Sequence, residues 1–139
     1  MKLSTRARYG LRLMVDIASH QGPVPLPSVS GRQEISLKYL QQLAFLLCRR
    51  GLLVSVKGMN GGYSLTRNKE EITLLEILSS LEGDLGFSQD LPANENVFQR
   101  CLRVNFYEVA DKRLRALLAG TTLSDLVDSV APSSYEYDI

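Results

Sequence analysis

The sequence contains no tryptophan, a single histidine and only two cysteines among 139 residues. Each scarcity removes a class of function. His20 alone excludes a His-rich metal cluster. Cys48 and Cys101 lie far apart and form no CxxC pair, which argues against a disulfide framework and a structural zinc site, so no cofactor is expected. No run approaches the ~18 consecutive apolar residues that a membrane helix needs. The N-terminus does not read as a signal peptide, because Lys2, Arg6, Arg8, Arg12 and Asp16 interrupt any apolar stretch there. The expectation is a cytoplasmic protein with no membrane partner. An enzyme is not expected either. His20 sits near a helix end with no evident acid or nucleophile beside it, and no paired carboxylates mark a pocket. Gly61-Gly62 lacks the GxxxxGK[ST] context of a phosphate-binding loop.

The net charge of +1 conceals an asymmetry. Residues 1–69 carry eleven Lys/Arg against two acids, Asp16 and Glu34, a balance of +9. Residues 70–139 carry five Lys/Arg against thirteen acids, a balance of −8. A basic half attracts a phosphate backbone through counterion release. The asymmetry suggests a polyanion-binding half, 1–69, and a half with a different task, 70–139.

Hydrophobic spacing predicts a mainly α-helical protein with one small β-hairpin. A helix is expected over Thr5–His20, capped by Ser4 or Thr5 and ended by Gly22-Pro23. A short helix, Pro27–Gln33, a turn at Glu34-Ile35 and a Ser36-capped helix, Leu37–Arg50, follow. Leu40, Leu43, Ala44 and Leu47 would be buried, leaving Lys38, Tyr39, Gln41, Gln42, Phe45 and Arg49 largely on other faces. That is a helix-turn-helix pattern, although an ordinary helical hairpin has the same spacing. The next segment decides between them. Strands Leu52–Val56 and Tyr63–Leu65 flank the turn Lys57-Gly58-Met59-Asn60-Gly61-Gly62, which makes a wing. Glycines there let the backbone approach DNA closely.

In the second half, Thr73 caps a short helix, Leu74–Leu81, and Gly83 to Asn94 reads as loop. A long helix from about Glu95 to Ala119 carries Phe98, Leu102, Phe106, Val109, Leu114 and Leu117 as one apolar seam, a natural dimerisation element. Gly120 ends it. A last helix, Leu123–Val130, is closed by Pro132, and Ser133–Ile139 is a loose polar tail.

Several ordered segments together resemble the Rrf2 family of winged-helix regulators, the IscR, NsrR and CymR types. They are Met1–Thr5, Arg8-Tyr9-Gly10-Leu11, Ile35–Leu43, Gly51–Gly58, Gly61–Leu65 and Ala119–Leu126. The resemblance implies a homodimeric bacterial transcription factor, usually a repressor, on a pseudo-palindromic operator in double-stranded DNA. It implies that Lys38, Tyr39 and Gln41 of the recognition helix enter the major groove and that Lys57 of the wing enters the minor groove. Lysine at position 57 lacks the planar fork of the arginine that relatives often carry there, and relatives often have a carboxylate at position 41. Arg8 and Arg49 are assigned to phosphates. The DNA-binding set is thus Arg8, Ser36, Lys38, Tyr39, Gln41, Arg49, Lys57, Gly58, Gly61 and Gly62. Tyr39 is open between core and contact, and Tyr63 is expected to pack the wing.

Many relatives hold an iron–sulfur cluster on three cysteines. At the matching places this chain has only Cys101, with Val104 three residues on and Arg8 where some relatives bring an acid from the first helix. The resemblance therefore points to the cluster-free branch, which senses through a partner protein such as a metabolic enzyme or through thiol oxidation, with Cys101 the better thiol and Cys48 buried and inert. The alternatives are a metal- or cluster-dependent redox sensor using Cys101 with Asp or Glu ligands, and a winged-helix module whose acidic half docks a protein.

Overall fold

The computed structural model describes residues 2–88 and 91–137, with only the backbone course described for 131–137. Seven helices and one two-stranded sheet follow in the order α1 (Thr5–Ala18), α2 (Leu26–Gln33), α3 (Leu37–Arg49), β1 (Leu53–Val56), β2 (Gly62–Leu65), α4 (Leu74–Glu82), α5 (Val97–Leu102), α6 (Glu108–Ala119) and α7 (Leu123–Tyr137). A short 3-10 turn, Lys69–Glu71, precedes α4, and a π-helical segment, Arg103–Tyr107, joins α5 to α6. The mainly helical architecture with a hairpin wing is the one expected.

Local chemistry sets the helix starts. The side chains of Ser4, Ser36 and Thr73 accept from the backbone N–H groups of Ala7, Tyr39 and Glu76, the N-cap bond that satisfies an orphan donor. Asn96 and Gln99 form a reciprocal capping box at the start of α5. The α2–α3 turn is less comfortable. Glu34 adopts the left-handed conformation, φ 55° and ψ 43°, a place where glycine costs least.

One apolar core joins the two halves. Leu13 and Met14 of α1, Val29 of α2, Leu40, Leu43 and Leu47 of α3, Ile77 of α4 and Leu123 of α7 are all fully buried in it. Gly10 lets α1 and α4 approach, since a Cβ there would stand 2.5 Å from a Leu81 methyl. Backbone bonds from Leu74 N to Thr121 O and from Leu123 N to Ile72 O, 2.9 and 3.0 Å, fasten α7 to the start of α4.

Two expectations need correcting. The long helix is interrupted by the π-helical segment, which rephases the residues after it. α7 passes Pro132 and runs to Tyr137, so loss of one backbone donor does not end it. The loose tail was expected through Ile139, and its last two residues, Asp138 and Ile139, lie outside the described residues.

Candidate nucleic-acid interface

The helix-turn-helix is held together by an ion pair between a buried carboxylate and an exposed guanidinium. Asp16 of α1 is 5% exposed. Its carboxylate accepts from Arg32 Nε and Nη2 at 3.0 and 2.7 Å and from Gln33 Nε2 at 2.8 Å. Burial alone would raise its pKa, but these bonds and the guanidinium charge win and hold it below the ordinary carboxylate value. Arg12, one turn earlier, donates to the Gln33 carbonyl and to Gln33 Oε1. α1 is thereby locked to the end of α2, immediately before the turn that launches α3. His20 Nδ1 lies 2.7 Å from the Asp16 carbonyl oxygen and 3.7 Å from its carboxylate, so the expectation of no acid beside His20 is corrected: one helical turn brings them together. The carboxylate oxygens are already engaged by Arg32 and Gln33, and the pair closes the end of α1.

α3 buries Leu40, Leu43, Ala44 and Leu47 and leaves Lys38, Gln41, Gln42, Phe45 and Arg49 exposed, along one face at helical spacing. Ser36 stands exposed at its mouth while capping it. Tyr39 is half-buried. Its ring meets that of Tyr9 edge-on, with centroids 5.7 Å apart, and the Arg12 guanidinium lies over Tyr9 at 5.3 Å. Tyr39 thus shares its area between α1 and the surface. Arg8 is exposed on α1.

The wing pairs Leu53 with Leu65 through Val56 with Gly62. Tyr63 is half-buried and exchanges two 2.9 Å backbone bonds with Val24, tying the wing to the α1–α2 connection. Lys57, Gly58 and Met59 are exposed, Met59 completely. Gly58 has φ 111°, and a Cβ added there would have nothing within 4 Å. Gly61 and Gly62 are unlike it. A Cβ on Gly61 would stand 2.2 Å from the Val56 oxygen, and one on Gly62 would stand 2.4 Å from the Val24 carbonyl. Internal packing at the wing's neck therefore accounts for both glycines.

The long helix shows two faces where the sequence suggested one seam. Leu114 is half-buried and packs inward with the buried Leu118, while Phe98, Leu102, Phe106, Val109 and Leu117 stand 41–81% exposed. Arg103 holds the segment together by donating to both oxygens of Glu95, at 2.6 and 2.9 Å, and to Glu108 at 2.6 Å. The loop before α5 is pinned as well. Asp111 accepts from the backbone N–H groups of Phe87 and Ser88 and from the Ser88 hydroxyl, at 2.5–3.1 Å, which lowers its pKa, with the Ser88 hydroxyl the largest cause.

Cys101 is exposed on α5, and the Asn105 amide donates to its sulfur at 3.6 Å. Cys48 is half-buried, and burial pushes its thiol pKa up. Among the described residues no three of His, Cys, Asp and Glu converge on a metal position. Nor is any described helix long and apolar enough to cross a membrane.

Sequence reasoning did not anticipate the Asp16–Arg32 lock or the Asp111 pin. The first left a trace, since Asp16 is one of two acids in a strongly basic half. The second left none, because a carboxylate on an exposed helix has no distinguishing pattern.

A helix-turn-helix with a wing is shared by many regulators, and comparison with known proteins decides among them. Residues 3–129 match the Rrf2 family, described as iron-dependent transcriptional regulators. The chain belongs to the Rrf2 family. It is 35% identical over 133 residues to the HTH-type transcriptional regulator IscR of Pectobacterium atrosepticum, covering 93% of this chain and 80% of that one. The structure of CymR, the global cysteine regulator of B. subtilis, superposes with a TM-score of 0.80 at 33% identity, covering 93% of this chain and 98% of that one. IscR of T. potens superposes with a TM-score of 0.75 at 35% identity, over 94% of this chain and 88% of that one. An Rrf2 protein is a transcriptional regulator, and membership of the family implies DNA binding.

Iron is part of the family's description, and the donor set here does not suit an iron–sulfur cluster. Such clusters need several converging thiolates. Two cysteines exist in all, on α3 and α5, with Val104 and Arg8 at the other positions considered.

Proposed function

We propose that this Rrf2 protein is a cluster-free, homodimeric repressor that reads a pseudo-palindromic operator. Residues 1–69 read and residues 70–139 pair the two copies. The exposed cationic face of α3 beside the Lys57 wing is the observation that carries this. No acid lies on α3 between Leu37 and Arg49, so nothing on that helix opposes a phosphate backbone. Lys38 and Gln41 meet base edges, Ser36, Arg8 and Arg49 meet phosphates, and Lys57 enters the minor groove. Tyr39 braces α3 against Tyr9 and offers its remaining exposed edge to the DNA.

The exposed Phe98, Leu102, Phe106, Val109 and Leu117 face supports dimerisation. Large apolar side chains at 41–81% exposure along α5, the π-helical segment and α6 are costly in water and suit a self-complementary twofold contact. Leu114 contributes by holding that helix to α4. The signal arrives through a partner, such as a metabolic enzyme, or through oxidation of Cys101.

Selection of bound duplexes from a genomic fragment library by the purified, colourless protein tests this reading. The expected result is a few inverted-repeat promoters, bound as a dimer, with affinity falling steeply as salt rises. Uniform binding of all fragments, a strict monomer, or DNA binding only by an iron-loaded coloured form would refute it. Cys101→Ser separates the two signal routes: it abolishes a peroxide response and leaves a partner response intact.

A further inference from the structure

Phe45 is out of place for a helix that already has a complete core face. It is 64% exposed, while Leu40, Leu43, Ala44 and Leu47 fill the buried side of α3. Around it on the outer face stand Lys38, Gln41, Gln42 and Arg49, all exposed. The Arg49 guanidinium lies over the ring, 5.8 Å from its centroid. A second copy of this chain is a poor cover for the ring. A twofold contact here would set Lys38, Arg49 and Arg50 against their own duplicates. The cationic and amide surroundings fit a polyanion that also offers an apolar spot. The major groove of DNA does so at one point only, the C5 methyl of thymine.

We propose that Phe45 determines part of the operator sequence by packing its ring on a thymine methyl. The proposal rests on α3 being the recognition helix. Four residues separate Gln41 from Phe45, about 6 Å along the helix axis. At ~3.4 Å per base-pair step, the thymine lies roughly two steps from the base that Gln41 reads. Arg49, held over the ring, is placed for the phosphate beside that thymine and carries no base preference of its own.

The test uses duplexes that the wild-type protein selects from a randomised library, with each thymine replaced singly by uracil, which lacks only the methyl. At one position per half-site, uracil weakens wild-type binding roughly fourfold, the worth of one buried methyl group. Phe45→Ala binds the thymine duplex more weakly and is indifferent to that same replacement. Arg49→Gln loses affinity equally on both duplexes and shows a shallower salt dependence. The ring's exposure keeps Phe45→Ala folded, which circular dichroism verifies. Undiminished affinity of Phe45→Ala for the thymine duplex, or a uracil penalty that survives in it, overturns the proposal. A wild-type protein that enriches no duplex overturns the recognition-helix reading itself.

Discussion

Replacing Asp16 by Asn removes one charge from the lock between α1 and α2 and changes almost no volume. Asn keeps one acceptor oxygen. Its amide nitrogen then faces the donors of Arg32 or Gln33, so about two charge-assisted bonds are lost. Each is worth ~1.5–3 kcal/mol where both partners are buried. Asp16 is 2% exposed in its side chain, but Arg32 is 41% exposed and recovers water in the variant. Discounting for that, the loss is about 2–3 kcal/mol. For a chain of this length that lowers Tm by roughly 7–10 °C, compared at one protein concentration because a dimer's Tm depends on it. The pH dependence identifies the cause. The folded Asp16 carboxyl titrates below its ordinary 3.8, so its stabilisation is complete above that value and fades as pH falls through the folded pKa. The gap between wild type and Asp16→Asn is therefore full from pH 5 upward and closes on the acid side of pH 4. Scanning calorimetry of both proteins from pH 2 to 7 measures it. Equal Tm at pH 7, or a gap that stays constant into acid, would refute the account of the lock.

Glu34→Gly relieves the left-handed residue in the helix-turn-helix turn and raises stability by about 1 kcal/mol, seen as a later midpoint in urea. Gly62→Ala forces its methyl against the Val24 carbonyl, so the wing's neck must open, and the variant loses about 2–3 kcal/mol together with slowed-exchange protection of the Val24 and Tyr63 amides. Lys57→Ala removes the cation that the wing carries into the minor groove, so operator binding weakens and depends less steeply on salt, measured by fluorescence anisotropy across a salt series. Phe98→Asp with Leu102→Asp converts the protein to a monomer in sedimentation while leaving its helical content unchanged, because both side chains lie outside the core.

The fold was legible because the decisive signals were local. Ser36 and Thr73 cap where hydroxyl side chains precede apolar periodicity, and the glycine-bounded hairpin follows α3 at once. What sequence concealed was which neighbour each residue would meet. Leu114 was grouped with the outward residues, yet on α6 it stands five residues from Val109, on another side of the helix, and four from the buried Leu118, so it turns to the core. Gly61 and Gly62 suggested close approach to DNA, when backbone from β1 and from the α1–α2 connection already occupies the space. Phe45 was visible as an apolar residue on a polar face, and only its exposure separates a reading residue from a stray core residue.

The charge asymmetry has a further consequence once the acids are located. Glu82 accepts from the Ser4 N–H at the start of α1, Asp125 from Thr122 N at the start of α7, and Asp111 from the loop before α5. Each of these carboxylates satisfies a backbone donor and so performs a structural task. Arg103 neutralises only part of the Glu95–Glu108 cluster. Part of the second half's acidity therefore has a structural task inside the fold. That field still acts on DNA. At physiological salt it is screened beyond about 8 Å, too short a reach to repel a duplex on the proposed α3 surface, but sufficient to disfavour phosphates that approach the acidic half. A regulator built this way orients its ligand by repulsion at one end and attraction at the other.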